Sequence, residues 1–272
     1  MKAFEPSSRS AENNVEPAAR GDAELNRKAP LIGNPGEKGR GNFLAGVARD
    51  LKNYENYLQS PLGGSWYRQE ISVLDNPSRA DVRRALIPLR TANYSFVLFS
   101  GHGYFSDDNR DTIVCLSGDE ELEAVELRRG SGRQTVVLDC CRVVEKVALA
   151  EDSVAKVDRS PRSLDANDCR RYFDQEISKC PVGLVVMHAC DVNETAADDS
   201  RRGGYYASNL INVAEDWAKS DTTDLSKKYN VLRVPDVHDR AAERVSWLSS
   251  GRQNPQIEKP KATSYFPFSI VA

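Results

Sequence analysis

A chain of 272 residues, 40% hydrophobic and 28% charged, can bury one large core and is neither collagen-like nor disordered throughout. Its formal charge of −3 argues against a protein whose main partner is nucleic acid, and six cysteines are too sparse for a disulfide scaffold. No opening apolar segment reads as a signal peptide, and no apolar run nears the roughly twenty residues of a membrane span. The expectation is a cytoplasmic protein with reduced thiols and no membrane partner.

Residues 1–27 are polar without an apolar period and read as a flexible tail. From Lys28 onward, short apolar runs occupy 29–33, 71–74, 94–100, 134–139 and 182–189. Their length and their Val, Ile, Leu and Phe content suit strands buried on both faces of a parallel sheet. Helical spacing separates them. Leu44, Val47, Leu51, Tyr54 and Leu58 share one face; Val82, Ala85, Leu86 and Leu89 share another, opened by Ser78 as N-cap with Asp81 three residues on. Tyr206, Leu210, Val213 and Trp217 mark a third helix, and Val237, Ala241, Val245 and Leu248 a fourth. Strands alternating with helices predict βαβ units and a single α/β domain over 28–272. Residues 106–116 read as a hairpin leaving the sheet. Residues 143–181 form a long basic connection, part of it ordered by a helix over 169–177.

Ligands in open α/β sheets gather at the carboxyl ends of strands. Two such ends carry chemistry: Ser100-Gly101-His102-Gly103, and Asp139-Cys140-Cys141-Arg142. A free thiol is only a few per cent ionised at neutral pH, and an imidazole beside it can take its proton as attack occurs. Alone, Gly-His-Gly is more often a turn and a strand-end cysteine a small hydrophobe. Together in one α/β domain they favour a catalytic pair.

These two motifs resemble those of the caspase-like cysteine proteases, particularly the metacaspase branch, which carries Ser-Gly-His-Gly and Asp-x-Cys. Further stretches are similar in the same order: Leu44-Ala45-Gly46-Val47-Ala48-Arg49-Asp50, Asp111 to Leu116, Ala189-Cys190-Asp191-Val192-Asn193-Glu194-Thr195-Ala196-Ala197-Asp198, Gly203-Gly204-Tyr205, Gln253-Asn254-Pro255-Gln256 and Phe266-Pro267-Phe268. The resemblance implies a caspase-hemoglobinase fold, a mostly parallel sheet of about six strands with helices on both faces. It implies Cys141 as nucleophile and His102 as its partner in a dyad, with no third member evident. The amides of Gly103 and Cys141 would form the oxyanion site. Asp50 and Asp139 would line an acidic S1 pocket, so that cleavage follows Arg or Lys in protein or peptide substrates. Taken alone, Asp50 would read as a solvated helix charge.

The same resemblance makes 143–181 the place of the linker cut in many zymogens, with Arg159, Arg162, Arg170 and Arg171 as candidate self-cleavage points and an activating protease or regulator as a partner; a solvated loop that is merely charged is an equal reading. It also implies a monomer. Many metacaspases need calcium, and Asp107, Asp108 and Asp111 cluster in sequence, but oxygen-only sites demand six or more ligands. A solvated loop is the reading here, no metal motif is present, and no cofactor is required. The chain departs from the family pattern at Arg142-Val143-Val144, where a His-Ser-Gly is usual, and at Glu194, where Gln is usual. His188 reads as a satisfied strand histidine rather than a substrate contact. The alternative function is a catalytically weak caspase-like interaction module; an unrelated α/β binding protein would have no reason to combine His102, Cys141, Asp139 and Asp50 in this order.

Overall fold

The five apolar runs become five adjacent parallel strands. The computed structural model describes residues 24–39, 41–143, 164–220, 223–224 and 226–272. In chain order it opens with β1 (Arg27–Asn34), α1 (Val47–Gln59), β2 (Ile71–Asp75), α2 (Arg79–Leu86) and β3 (Tyr94–Gly101). An antiparallel excursion follows, β4 (Gly103–Ser106), β5 (Asp111–Cys115) and β6 (Glu121–Glu123), closed by the one-turn helix α3 (Ala124–Leu127). Then come β7 (Arg133–Asp139), α4 (Ala166–Lys179) and β8 (Gly183–His188). The last part comprises β9 (Asp198–Asp199), β10 (Gly203–Gly204), α5 (Tyr205–Lys219), β11 (Asn230–Arg233), α6 (Val234–Leu248), β12 (Gln256–Glu258) and β13 (Pro267–Val271).

The central sheet has the order β12-β8-β7-β3-β1-β2, with β12 antiparallel to β8 and the other pairs parallel. Successive side chains of a strand point to opposite faces, and the two cores follow that alternation. Leu31, Phe96, Leu98, Val137, Val185 and Met187 join the core that packs α1, α4, α5 and α6. Ile32, Val97, Phe99, Val136, Leu138 and Val186 join the other, against α2, α3 and the excursion.

β3 is buried along its whole length, as expected of a central strand. β2 is not: Ser72, Val73 and Asp75 are exposed, because it is the sheet edge and only one neighbour covers it. Ser78 caps α2 in a reciprocal box with Asp81. That helix stops at Leu86 and tightens into a 3-10 turn over Ile87–Thr91, since Pro88 lacks the N–H that the α pattern requires. α4 begins three residues before the expected 169, where Asp165 accepts the Asp168 amide at 2.8 Å. The pairing of β11 with β13 has no counterpart in the sequence reading.

The expected tail reached residue 27, yet Arg27 opens β1 and is fully buried. Its guanidinium lies 4.6 Å from the Trp66 ring and 5.2 Å from Phe173, pairs with Asp174 at 3.4 Å, and donates to Gly64 O. Among the described residues, no helix is long and apolar enough to cross a membrane.

Candidate active site

Parallel strands carry their carboxyl ends to one edge of the sheet, so β1, β3 and β7 bring their last residues together. Ser100 pairs with Asp139 in register, which places His102 and Cys141 just beyond a shared rim. Both line a small cavity of about 20 Å³ with Ser100, Asp139, Asp198 and Gly204. Both also line a larger cleft of about 230 Å³, with Gly103 beside them. The pair therefore sits where two cavities meet.

The consecutive cysteines differ in environment. Cys140 is buried, Gly103 packs so closely on it that a Cβ there would come within 2.8 Å of its sulfur, and burial pushes its thiol well up. Cys141 is partly exposed. Burial also raises its thiol, but the Ala196 amide donates to its sulfur at 3.3 Å and opposes that rise. His102 holds its Nε2 2.6 Å from the carbonyl of Asn42. A carbonyl only accepts, so this nitrogen carries the hydrogen and, in the neutral ring, leaves Nδ1 as the basic site. A backbone carbonyl thus orients the imidazole, a contact no side-chain motif could announce.

Asp50 is not a solvated helix charge. It faces inward from α1, fully buried, accepting from the Gly204 amide at 3.0 Å and from Ser100 Oγ at 2.7 Å. Asp139 accepts the Ala207 amide at 2.7 Å. A third carboxylate, Asp198, accepts the Gly46 amide at 2.9 Å. Burial, then the neighbouring Asp139 charge, pushes the Asp50 carboxyl well above its usual range; burial pushes Asp139 up to about 7 and Asp198 up as well. The β9–β10 hairpin lies over the first two. Gly203 has φ of +103°, and a Cβ there would collide with Asp50; a Cβ at Gly204 would collide with Asp139. Only glycine lets this backbone approach the carboxylates. The space left beside them fits one water molecule.

Other expected residues go elsewhere. Arg170 is not open to cleavage: it is buried in α4, bidentate to Glu70 at 2.9 and 2.8 Å and paired with Glu24. Arg171 sits on the same helix over the Tyr172 ring, paired with Asp168. A peptide bond held in a helix is not presented in the extended form a protease cleft takes. Arg159 and Arg162 lie outside the described residues. Asp111 is committed to Arg128 and the Val125 amide, while Asp107 and Asp108 are exposed. Among the described residues no group of His, Cys, Asp and Glu is placed to hold a metal ion. His188 is a buried strand residue bonded to Glu258 at 2.7 Å, and burial lowers its pKa. Glu194, in place of the usual Gln, accepts both the amide and the side chain of Asn254.

Residues the motifs did not single out for the site are Asn42, through its carbonyl, Ala196, through its amide, and Asp198. Ala196 and Asp198 both stood in a quoted motif, so the stretch was marked, but Ala196 acts through its amide rather than its side chain; Asn42 acts through backbone alone and left no signal. Compared with known families, residues 26–267 match the model of the caspase domain. No curated protein matches the chain.

Proposed function

Since the chain belongs to the caspase-domain family and is a cysteine peptidase by that membership, we propose that it cleaves peptide bonds after Arg or Lys. The observation that carries this reading is the convergence of Asp50, Asp139 and Asp198 behind the cavity shared by Cys141 and His102. Carboxylates in that position hold a guanidinium by charge-assisted hydrogen bonds, two-pronged for Arg. An acidic P1 side chain would meet like charge.

In this mechanism Cys141 Sγ attacks the scissile carbonyl carbon. Its proton goes to His102 Nδ1, while the Asn42 carbonyl keeps the ring in place through Nε2. The amides of Gly103 and Cys141 face the developing oxyanion; each donor contributes about 3 kcal/mol in comparable hydrolases. The imidazolium then protonates the leaving amine as the thioester forms. A water molecule, deprotonated by His102, hydrolyses the thioester and restores the thiol. No cofactor takes part, and the substrate is a protein or peptide bound by a monomer.

Admission of a P1 side chain requires movement, because the space beside the carboxylates is about 20 Å³ and the β9–β10 hairpin closes it. That observation supports activation by linker cleavage or by a partner, and it also favours the second reading, a catalytically weak interaction module. Matched fluorogenic peptides with Arg, Lys or Asp at P1 separate the two. Cleavage after Arg and Lys that is lost in Cys141→Ala and Asp50→Asn, but kept in Cys140→Ala, is the expected result. Cleavage after Asp would sink the specificity. Silence that persists after trypsin nicking within residues 144–163 would favour the interaction module.

A further inference from the structure

Arg142 follows the nucleophile directly and takes no part in the acyl transfer above, yet it is only 9% exposed. Its backbone is tied on both sides to one loop: its amide donates to Glu194 O at 3.0 Å, and its carbonyl accepts the Asn193 amide at 2.9 Å. Its guanidinium reaches two further segments. Nε donates to Thr112 Oγ1 on β5 at 3.2 Å, and Nη1 to Cys190 O at 3.4 Å, with Phe105 of β4 stacked 5.4 Å away. One side chain therefore joins the β4–β5 excursion to the loop 190–196. That loop ends in Ala196, whose amide donates to Cys141 Sγ.

We propose that Arg142 is a positioning residue that fixes the 190–196 loop so that the Ala196 amide faces the Cys141 sulfur and stabilises the thiolate. The proposal rests on the reading of Cys141 as nucleophile. An N–H donated to a sulfur favours its ionised form. The amide of Cys141 itself also favours the ionised sulfur, but it is carried by the nucleophile's own residue and does not depend on the loop; the remaining groups do not substitute for Ala196. Asp139, on the same strand, raises the thiol; the thiols of Cys140 and Cys190 are neutral neighbours raised by burial; His102 and Asp198 share the cavity. The charge of Arg142 also acts on His188, which bonds to Glu258 at 2.7 Å. A planar fork with donors in fixed directions can serve Thr112 and Cys190 together, whereas the single ammonium of lysine keeps the charge and loses that geometry.

The test is the pH dependence of iodoacetamide alkylation at Cys141 in the full-length chain, read by peptide mapping, with partly exposed Cys115 as the internal reference. Arg142→Lys and Arg142→Ala are both expected to shift the Cys141 profile upward by about one pH unit, making alkylation roughly tenfold slower near neutral pH, and to leave Cys115 unmoved. Thr112→Val removes one anchor without changing size and should shift it by about half as much; this variant carries the test if the arginine variants do not fold. A Lys variant that behaves as wild type would assign the effect to charge and overturn the proposal, as would an unmoved profile in Thr112→Val. Alkylation reads the sulfur without peptide cleavage. A wild type that alkylates at Cys141 but cleaves nothing therefore refutes the protease reading alone.

Discussion

At the scale of single residues, the site depends on how two neighbouring cysteines and three carboxylates differ in burial. Cys140 faces the core under Gly103 and Cys141 faces the cavities, so replacing Cys141 by Ala should lower kcat/KM by at least about a thousandfold, while Cys140→Ala should cost stability rather than catalysis. The carboxylates make a pH prediction with a definite sign. Asp139 is raised to about 7 and Asp50 is raised with it, so the folded protein binds more protons than the unfolded chain between about pH 4 and 7. Their contribution to stability is present below about pH 4 and is lost as pH rises through about 7. Asp139→Asn should flatten this dependence and raise the melting temperature at pH 8, as followed by circular dichroism. A bound guanidinium reverses the preference, since it favours the ionised pair. Affinity for an arginine-derived inhibitor should therefore fall from pH 8 to pH 5.5; a level titration by calorimetry would count against the acidic pocket.

At the scale of elements, the β9–β10 hairpin and the cap of α2 show how little chain sets local geometry. Gly204→Ala puts a methyl group against Asp139, and cleavage after Arg should drop at least tenfold while the fold persists, which paired kinetics and melting curves would register. Ser78→Ala removes a reciprocal cap far from the site. It should cost about 1 kcal/mol, or roughly 2–4 °C in Tm, with activity unchanged. Helix α4 runs from Ala166 to Lys179, inside the expected 143–181 connection. With Arg170 buried against Glu70 and Arg171 on the helix surface, self-cleavage should map by mass spectrometry within 144–163, never at 170 or 171.

On the scale of the whole molecule, Cys141 and His102 stand between two clefts of unequal size. Asp139 and Asp198 line the smaller one; under the proposed mechanism the larger would take the chain beyond the scissile bond. Glu37, Asp119, Glu120 and Glu121 line that larger cleft, and among the described residues no Lys or Arg does. Peptides with Lys just after the cleaved bond should be hydrolysed severalfold faster than those with Glu, and the ratio should shrink as salt screens the field. Equal rates at low ionic strength would refute this.

The chain's own pattern announced the α/β class, the five parallel strands, most of the apolar faces of α1, α2, α5 and α6, though Leu44 and Leu89 fall outside their helices, and the two strand ends that carry Cys141 and His102. It could do so because burial periodicity and strand-end motifs are local. It also marked Ser78 and Asp81, whose capping spacing is fixed by helix geometry. The rest followed from which distant segments pack together. That β2 is an edge depends on which strands are neighbours. That Arg27 belongs to the domain, and that Arg170 is locked in place, depends on Trp66, Phe173, Glu70 and Asp174 arriving from distant parts of the chain. The orientation of His102 by Asn42 and of Ala196 toward Cys141 uses backbone groups, which every residue carries and no motif distinguishes. Whether Asp50 is solvated or buried is a matter of what covers it, and that cover is a pair of glycines more than 150 residues away.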